Sequence, residues 1–197
     1  MFYAQTSIMK VTITFAVCLL TMQIARSQVK FGLKAGVNLS TQAISGMNVT
    51  STAESKTDFN AGVLANVNIS ETFIFQPELV YSGQGSGTTN SSGKLDYNYL
   101  NVPVLLKFQH PTGFFIETGP QLGILLSAKF KTNNSTVDEK AYVKSTDLAW
   151  VFGGGYKIPD LNLGLDFRYN LGLTNIQDGS IVTVKNQVIQ IGVFYIF

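Results

Sequence analysis

Between Leu161 and Gly172 apolar and polar residues alternate without a break. Leu161, Leu163, Leu165, Phe167, Tyr169 and Leu171 fall on one side of an extended chain. Asn162, Gly164, Asp166, Arg168, Asn170 and Gly172 fall on the other. Successive side chains of a β-strand point to opposite faces, so the run predicts a strand with one greasy face and one face of amides, glycine and opposed charges. The same period of two recurs at 31–40, 59–69 and 186–197, and less regularly at about 73–82, 97–108, 114–127 and 147–157. No segment after residue 27 approaches the 18 continuous apolar residues of a membrane helix.

The connections between these eight runs are of two kinds. Short ones fall at Ser70-Glu71-Thr72, His110-Pro111-Thr112-Gly113 and Ile158-Pro159-Asp160. Long ones, rich in Ser, Thr, Asn, Gly and Lys, fall at 41–58, 83–96, 129–146 and 173–185. Long and short alternate strictly. Up-and-down strands of 10–12 residues, tilted by about 45°, match the span of a bilayer core. The expected fold is all-β: an eight-stranded antiparallel up-and-down transmembrane barrel, greasy row outward. A soluble barrel would turn the greasy row inward and dress its outer face with interspersed Lys and Glu. This chain is only 13% charged, against about a quarter in ordinary globular proteins, and its polar rows are mostly Gly and Asn. Aromatic residues gather toward strand ends (Phe31, Phe73, Tyr97, Tyr99, Phe108, Phe114, Trp150, Tyr169, Tyr195 and Phe197), as two interfacial girdles require.

The first 27 residues read as a cleaved secretory signal peptide, leaving a barrel domain at 28–197. Lys10 precedes the short apolar run Val11–Leu20, and Ala25-Arg26-Ser27 places small residues before Gln28. Met9 competes with Met1 as the start, and Val17 before Cys18 argues against lipid attachment. Removing this segment removes the single cysteine, so no disulfide or Cys-ligated metal is expected. It also removes Lys10 and Arg26 from the 14 basic residues, leaving 12 against 12 acidic. A chain with no net charge is a poor electrostatic binder of nucleic acid.

The inward row carries the charges Lys34, Glu78, Lys107, Glu117, Lys157, Asp166 and Arg168. Eight strands enclose a space just wide enough for side chains, and charges there must pair. The expectation is a plugged, salt-bridged interior; a narrow channel or small-ligand-binding barrel is the alternative. Pro77, Pro103 and Pro120 fall within strands, where proline donates nothing to the ladder, and β-bulges are expected beside them.

Several segments resemble a known family. Phe31-Gly32-Leu33-Lys34-Ala35-Gly36-Val37-Asn38 resembles the opening strand of the PorT-type outer-membrane β-barrel family. Gln76-Pro77-Glu78-Leu79-Val80-Tyr81-Ser82 with Gly83-Gln84-Gly85 is similar to its third strand and tip. Tyr99–Lys107 and Gly119-Pro120-Gln121-Leu122-Gly123 resemble its fourth and fifth. The resemblance covers nearly the whole mature chain and implies a barrel in the outer membrane of a Gram-negative bacterium. It identifies no activity, although some members are implicated in protein secretion.

Enzymatic chemistry finds little to work with. The only histidine, His110, precedes a proline in a short turn with no Ser or Asp partner in view. Glu78 and Glu117 as a catalytic carboxylate pair compete with the simpler use of both in salt bridges. Gly153-Gly154-Gly155 lacks the Lys-Ser/Thr of a phosphate loop. Gly83, Gly85 and Gly87 read as a flexible loop tip, and Asp138, Glu139 and Asp178 as isolated acids too few for calcium. No catalytic residue, cofactor or metal is expected. The expected surroundings are outer-membrane lipid, the outer-membrane assembly machinery, which would read the terminal row Val193, Tyr195 and Phe197, and other envelope proteins meeting the loops of a monomer.

Overall fold

The structure is a computed structural model; it describes residues 29–46, 49–87, 93–132, 135–177 and 181–197. The signal-peptide reading of residues 1–27, with Cys18, and the loop acid Asp178 lie outside these residues. The strands are β1 (Val29–Gly46), β2 (Val49–Thr52), β3 (Lys56–Asn68), β4 (Phe73–Gly87), β5 (Lys94–Gln109), β6 (Phe114–Lys131), β7 (Thr136–Asp138), β8 (Thr146–Lys157), β9 (Leu163–Gly172) and β10 (Thr183–Ile196). A 3-10 turn at Lys140–Tyr142 follows β7.

Eight of these strands form a closed antiparallel ring in the order β1, β3, β4, β5, β6, β8, β9, β10. β10 returns to β1 from Gly32 opposite Ile196 to Ser45 opposite Thr183, so no edge is left unpaired along the wall. β2 folds back on the distal end of β1, and β7 on the distal end of β6. The connections at 41–58 and 83–96 are therefore more than half strand. β4 and β5 stay paired out to Gly87 and Lys94, and β5 and β6 out to Lys94 and Lys131. Gly83, Gly85 and Gly87, expected in a loop tip, belong to β4. Gly85 has φ of 134°, and a Cβ there would collide with the Leu95 carbonyl, so the close approach of β5 depends on glycine.

The outward row is the greasy one. Leu161, Leu163, Leu165 and Phe167 are 59, 40, 61 and 53% exposed, whereas Asp166 and Arg168 are 4 and 2% exposed. Leu161 stands just before β9, in a turn that Asn162 closes at φ 52°, a conformation asparagine tolerates.

The prolines cause no bulges. The register of β4 on β5 is the same on both sides of Pro77, and that of β5 on β6 the same on both sides of Pro103 and Pro120. Ladder pairs simply drop out between Pro77 and Val80 and between Pro103 and Leu106. Each proline lacks one donor, and omitting a local pair leaves the alternation of every other side chain intact. The one register shift lies farther out, between Asn98 and Tyr99, which face Ser127 and Leu125 across β5 and β6.

Two expected girdle residues are inside. Tyr97 and Tyr99 are buried with Leu125, Ala128 and Ile176. They share the parity of Lys107 on β5, and parity overrides the aromatic preference for the interface. Phe31, Phe73, Phe108, Phe114, Trp150, Tyr195 and Phe197 are exposed on the outer side.

Candidate functional site

The barrel interior is the site. Toward the short-turn end Leu64, Phe115, Phe194 and Ile196 form an apolar floor. Lys107 Nζ lies 4.1 Å from the Phe115 ring centre and 4.9 Å from that of Phe194, seating a cation on two aromatic faces. Against this floor six of the seven expected interior charges meet: Lys34, Glu78, Lys107, Glu117, Asp166 and Arg168, all buried.

Arg168 is the hub. Its Nη1 and Nη2 donate to Glu78 Oε2 and Oε1, each at 2.7 Å, and its Nε donates to Glu117 Oε1 at 2.6 Å. The same Nε is 3.0 Å from Asp166 Oδ2. Lys34 Nζ donates to Asp166 Oδ2 at 2.8 Å and lies 3.6 Å from Glu78 Oε2. Lys107 Nζ lies 3.3 Å from Glu117 Oε2. Gln76 Nε2 donates to Glu78 Oε1 at 2.5 Å. Three cations face three carboxylates, so the cluster is neutral as a whole, which is the condition for burying charge at tolerable cost. Glu78 and Glu117 do not pair with each other; they flank the guanidinium.

Lys157 does not join the cluster. It has the inward parity but is only half-buried, at the turn end of β8.

Glycines make room for the large interior groups. A Cβ on Gly192 would lie 2.5 Å from Asp166 Oδ1, and one on Gly153 would lie 2.9 Å from Arg168 Cγ and 3.2 Å from Glu117 Cγ. A Cβ on Gly155 would lie 2.7 Å from Phe115 Cζ, and one on Gly164 would enter the Phe194 ring. The glycine-rich polar rows are thus the negative image of the plug residues.

Above the charges lies a layer of amides. Asn38 Nδ2 donates to Ser82 Oγ at 2.9 Å and to the Gly83 carbonyl at 2.7 Å. Asn38 Oδ1 accepts from Asn60 Nδ2 at 2.7 Å and Gln190 Nε2 at 3.0 Å. Asp147 accepts from Thr174 Oγ1 at 2.8 Å and Asn186 Nδ2 at 3.0 Å. At the distal mouth the β9–β10 connection turns inward: Ile176 is 2% exposed and packs on Tyr97 and Tyr99. Lys144 N–H donates to the Ile176 carbonyl, tying down the segment after β7 as well.

Sequence reasoning passed over Gln76, Phe115 and Ile176. The first two share the parity of Glu78 and Glu117, so the signal was present. Ile176 lies in a connection without periodicity and leaves no such trace. His110 sits exposed in the β5–β6 turn, its Nδ1 2.8 Å from Thr112 Oγ1. Among the described residues no group of three or more His, Cys, Asp or Glu is placed to hold a metal.

A closed antiparallel ring of eight strands, apolar outside and polar inside, with short turns at one end, defines a transmembrane β-barrel of the outer-membrane type. The chain belongs to the outer membrane protein beta-barrel domain family, whose model matches residues 5–178. Among solved structures it is similar to Neisserial surface protein A, NspA, with a TM-score of 0.58 at 15% identity over 86% of this chain and 99% of that one. It is also similar to Ail, the attachment invasion locus protein of Yersinia pestis, with a TM-score of 0.50 at 15% identity over the same shares. Identity this low carries the fold alone. No curated protein matches the chain in sequence.

Proposed function

We propose that the protein is a non-enzymatic outer-membrane barrel with a plugged interior, acting through its long extracellular side as a structural and interaction protein of the envelope. In this reading it is a PorT-type barrel, exported by a cleaved signal peptide and inserted by the outer-membrane assembly machinery. Its distal strand extensions meet other envelope proteins, secretion components among them.

The observation that carries the reading is the bidentate pair between Arg168 and Glu78. These residues stand on β9 and β4, four places apart in a ring of eight, so the pair crosses the full width of the lumen. An ion entering this space would have to separate opposed charges in a low-dielectric interior. The test is planar-bilayer recording of the purified full chain. The expected result is a quiet membrane; a steady, reproducible single-channel current would overturn the plugged reading.

A small-ligand reading is favoured by one feature. A cavity of about 250 Å³ at the distal mouth is lined by Gln42, Tyr97, Glu139, Tyr142, Ile176 and Gln177, among others. A small molecule retained by the wild type and lost on Ile176→Trp would favour this reading over the first.

A further inference from the structure

The outer wall is not evenly studded. The registers place Phe108, Ile116, Gly154, Phe167 and Ile191 side by side on β5, β6, β8, β9 and β10. Gly154 is the one member of this lipid-facing row without a side chain. The row nearer the turns holds Phe114, Tyr156 and Leu165, and Phe152 projects on the far side of the gap. The result is a groove of about 710 Å³ whose outward lining includes Phe108, Phe114, Ile116, Tyr156, Leu165 and Phe167. That volume is in the range of small-molecule sites, which run to about 300–1,000 Å³. Its outward lining carries two polar groups, the His110 imidazole in the turn and the Tyr156 hydroxyl. Thr112 engages His110 Nδ1 through its N–H at 3.3 Å and its Oγ1 at 2.8 Å, so Nε2 is the ring nitrogen the turn does not use.

We propose that this groove is a specific binding site for a glycerophospholipid of the periplasmic leaflet. One acyl chain lies over Gly154 between Ile116 and Phe167, and the headgroup phosphate accepts from His110 Nε2. The groove is continuous with the apolar belt, which already faces hydrocarbon, so its occupant is a lipid tail rather than a water-borne ligand. It opens at the short-turn end, the periplasmic side of such barrels, where the lipid is a phospholipid. A donor at the rim of an apolar slot supplies a polar contact that fixes a phosphate. The site depends on the barrel spanning the membrane and is independent of whether the lumen is plugged.

The experiment is native mass spectrometry of the full chain refolded in detergent and mixed with phosphatidylethanolamine, with a photoactivatable-acyl phosphatidylethanolamine as the mapping probe. The wild type is expected to retain one lipid through detergent washing and to cross-link at Tyr156, Phe167 or Ile116. Gly154→Leu, which fills the groove, is expected to lose that lipid at least tenfold. A Cβ on Gly154 would sit 3.0 Å from the Phe115 carbonyl, so Ile116→Trp serves as a second filling variant with no such contact. Heat-modifiable migration reports that each variant is folded. His110→Ala is expected to lower retention several-fold while leaving the cross-linking positions unchanged. Equal retention by the wild type and a folded filling variant would overturn the site. So would labelling spread evenly to Val63 and Leu79 on the opposite wall.

Discussion

The guanidinium of Arg168 on β9 holds the carboxylate of Glu78 on β4 through two hydrogen bonds of 2.7 Å, spanning the lumen between diametrically opposed strands. A bidentate pair fixes both distance and orientation of the two walls, which a single ammonium would not do. Breaking one side of it strands a buried charge. Arg168→Met is expected to destabilise the barrel by about 3–5 kcal/mol, the range for removing one partner of a buried pair. Glu78→Gln with Arg168→Met removes one charge of each sign and leaves Lys34 with Asp166 and Lys107 with Glu117, so it is expected to recover much of that loss. Urea titration of the protein folded in lipid vesicles checks both. A double variant no more stable than the single one would contradict the pairing.

A second cluster ties the distal extensions together beyond the apolar belt. Asp96 Oδ1 is 2.6 Å from Lys56 Nζ, and Asp96 Oδ2 is 2.5 Å from Lys131 Nζ. Burial pushes the Asp96 carboxyl upward, but the hydrogen bonds and charge of the two lysines outweigh it and hold the group below its ordinary value. A carboxylate lowered on folding contributes stability that is present above its unfolded value and is lost as pH falls through the folded one. The clamp is therefore intact at neutral pH and released only in acid. The Asp96 carboxyl carbon is expected to titrate below that of a reference aspartate, about 3.9; titration at or above that value would contradict the clamp. Asp96→Asn at neutral pH is expected to speed trypsin cleavage after Lys94, Lys129 or Lys131.

The chain end has its own expectation. Val193, Tyr195 and Phe197 form an outward row, with the Tyr195 and Phe197 rings edge to face at 5.5 Å and the Phe197 N–H donating to the Phe31 carbonyl at 2.8 Å. If this row is the signal read during assembly, deleting Phe197 lowers the outer-membrane level of folded, heat-modifiable protein several-fold. Unchanged levels would refute that role.

Much of this molecule was legible because β-structure writes its faces into the sequence with period two. The inward charges Lys34, Glu78, Lys107, Glu117, Asp166 and Arg168 follow from parity alone. Their partners do not, because pairing across the lumen depends on where each strand stands in the closed ring. Lys157 shows the limit from another side: parity gives direction, not depth. Tyr97 and Tyr99 read as girdle residues from their place near a strand end, yet they share the parity of Lys107 and face inward. The extent of β4, β5 and β6 was hidden by composition. Ser, Thr, Asn and Gly read as loop, yet a neighbouring strand that satisfies the backbone overrides that preference.

The arrangement of wall and plug depends on which face meets hydrocarbon, and the single tryptophan reports on it directly. Trp150 is exposed on the outer wall of β8, its Nε1 donating to Thr118 Oγ1 at 2.8 Å. Fluorescence of the wild-type protein in vesicles should be quenched strongly by phospholipids brominated on their acyl chains and weakly by aqueous iodide. Strong iodide quenching with no response to brominated lipid would mean that the greasy row does not face the bilayer.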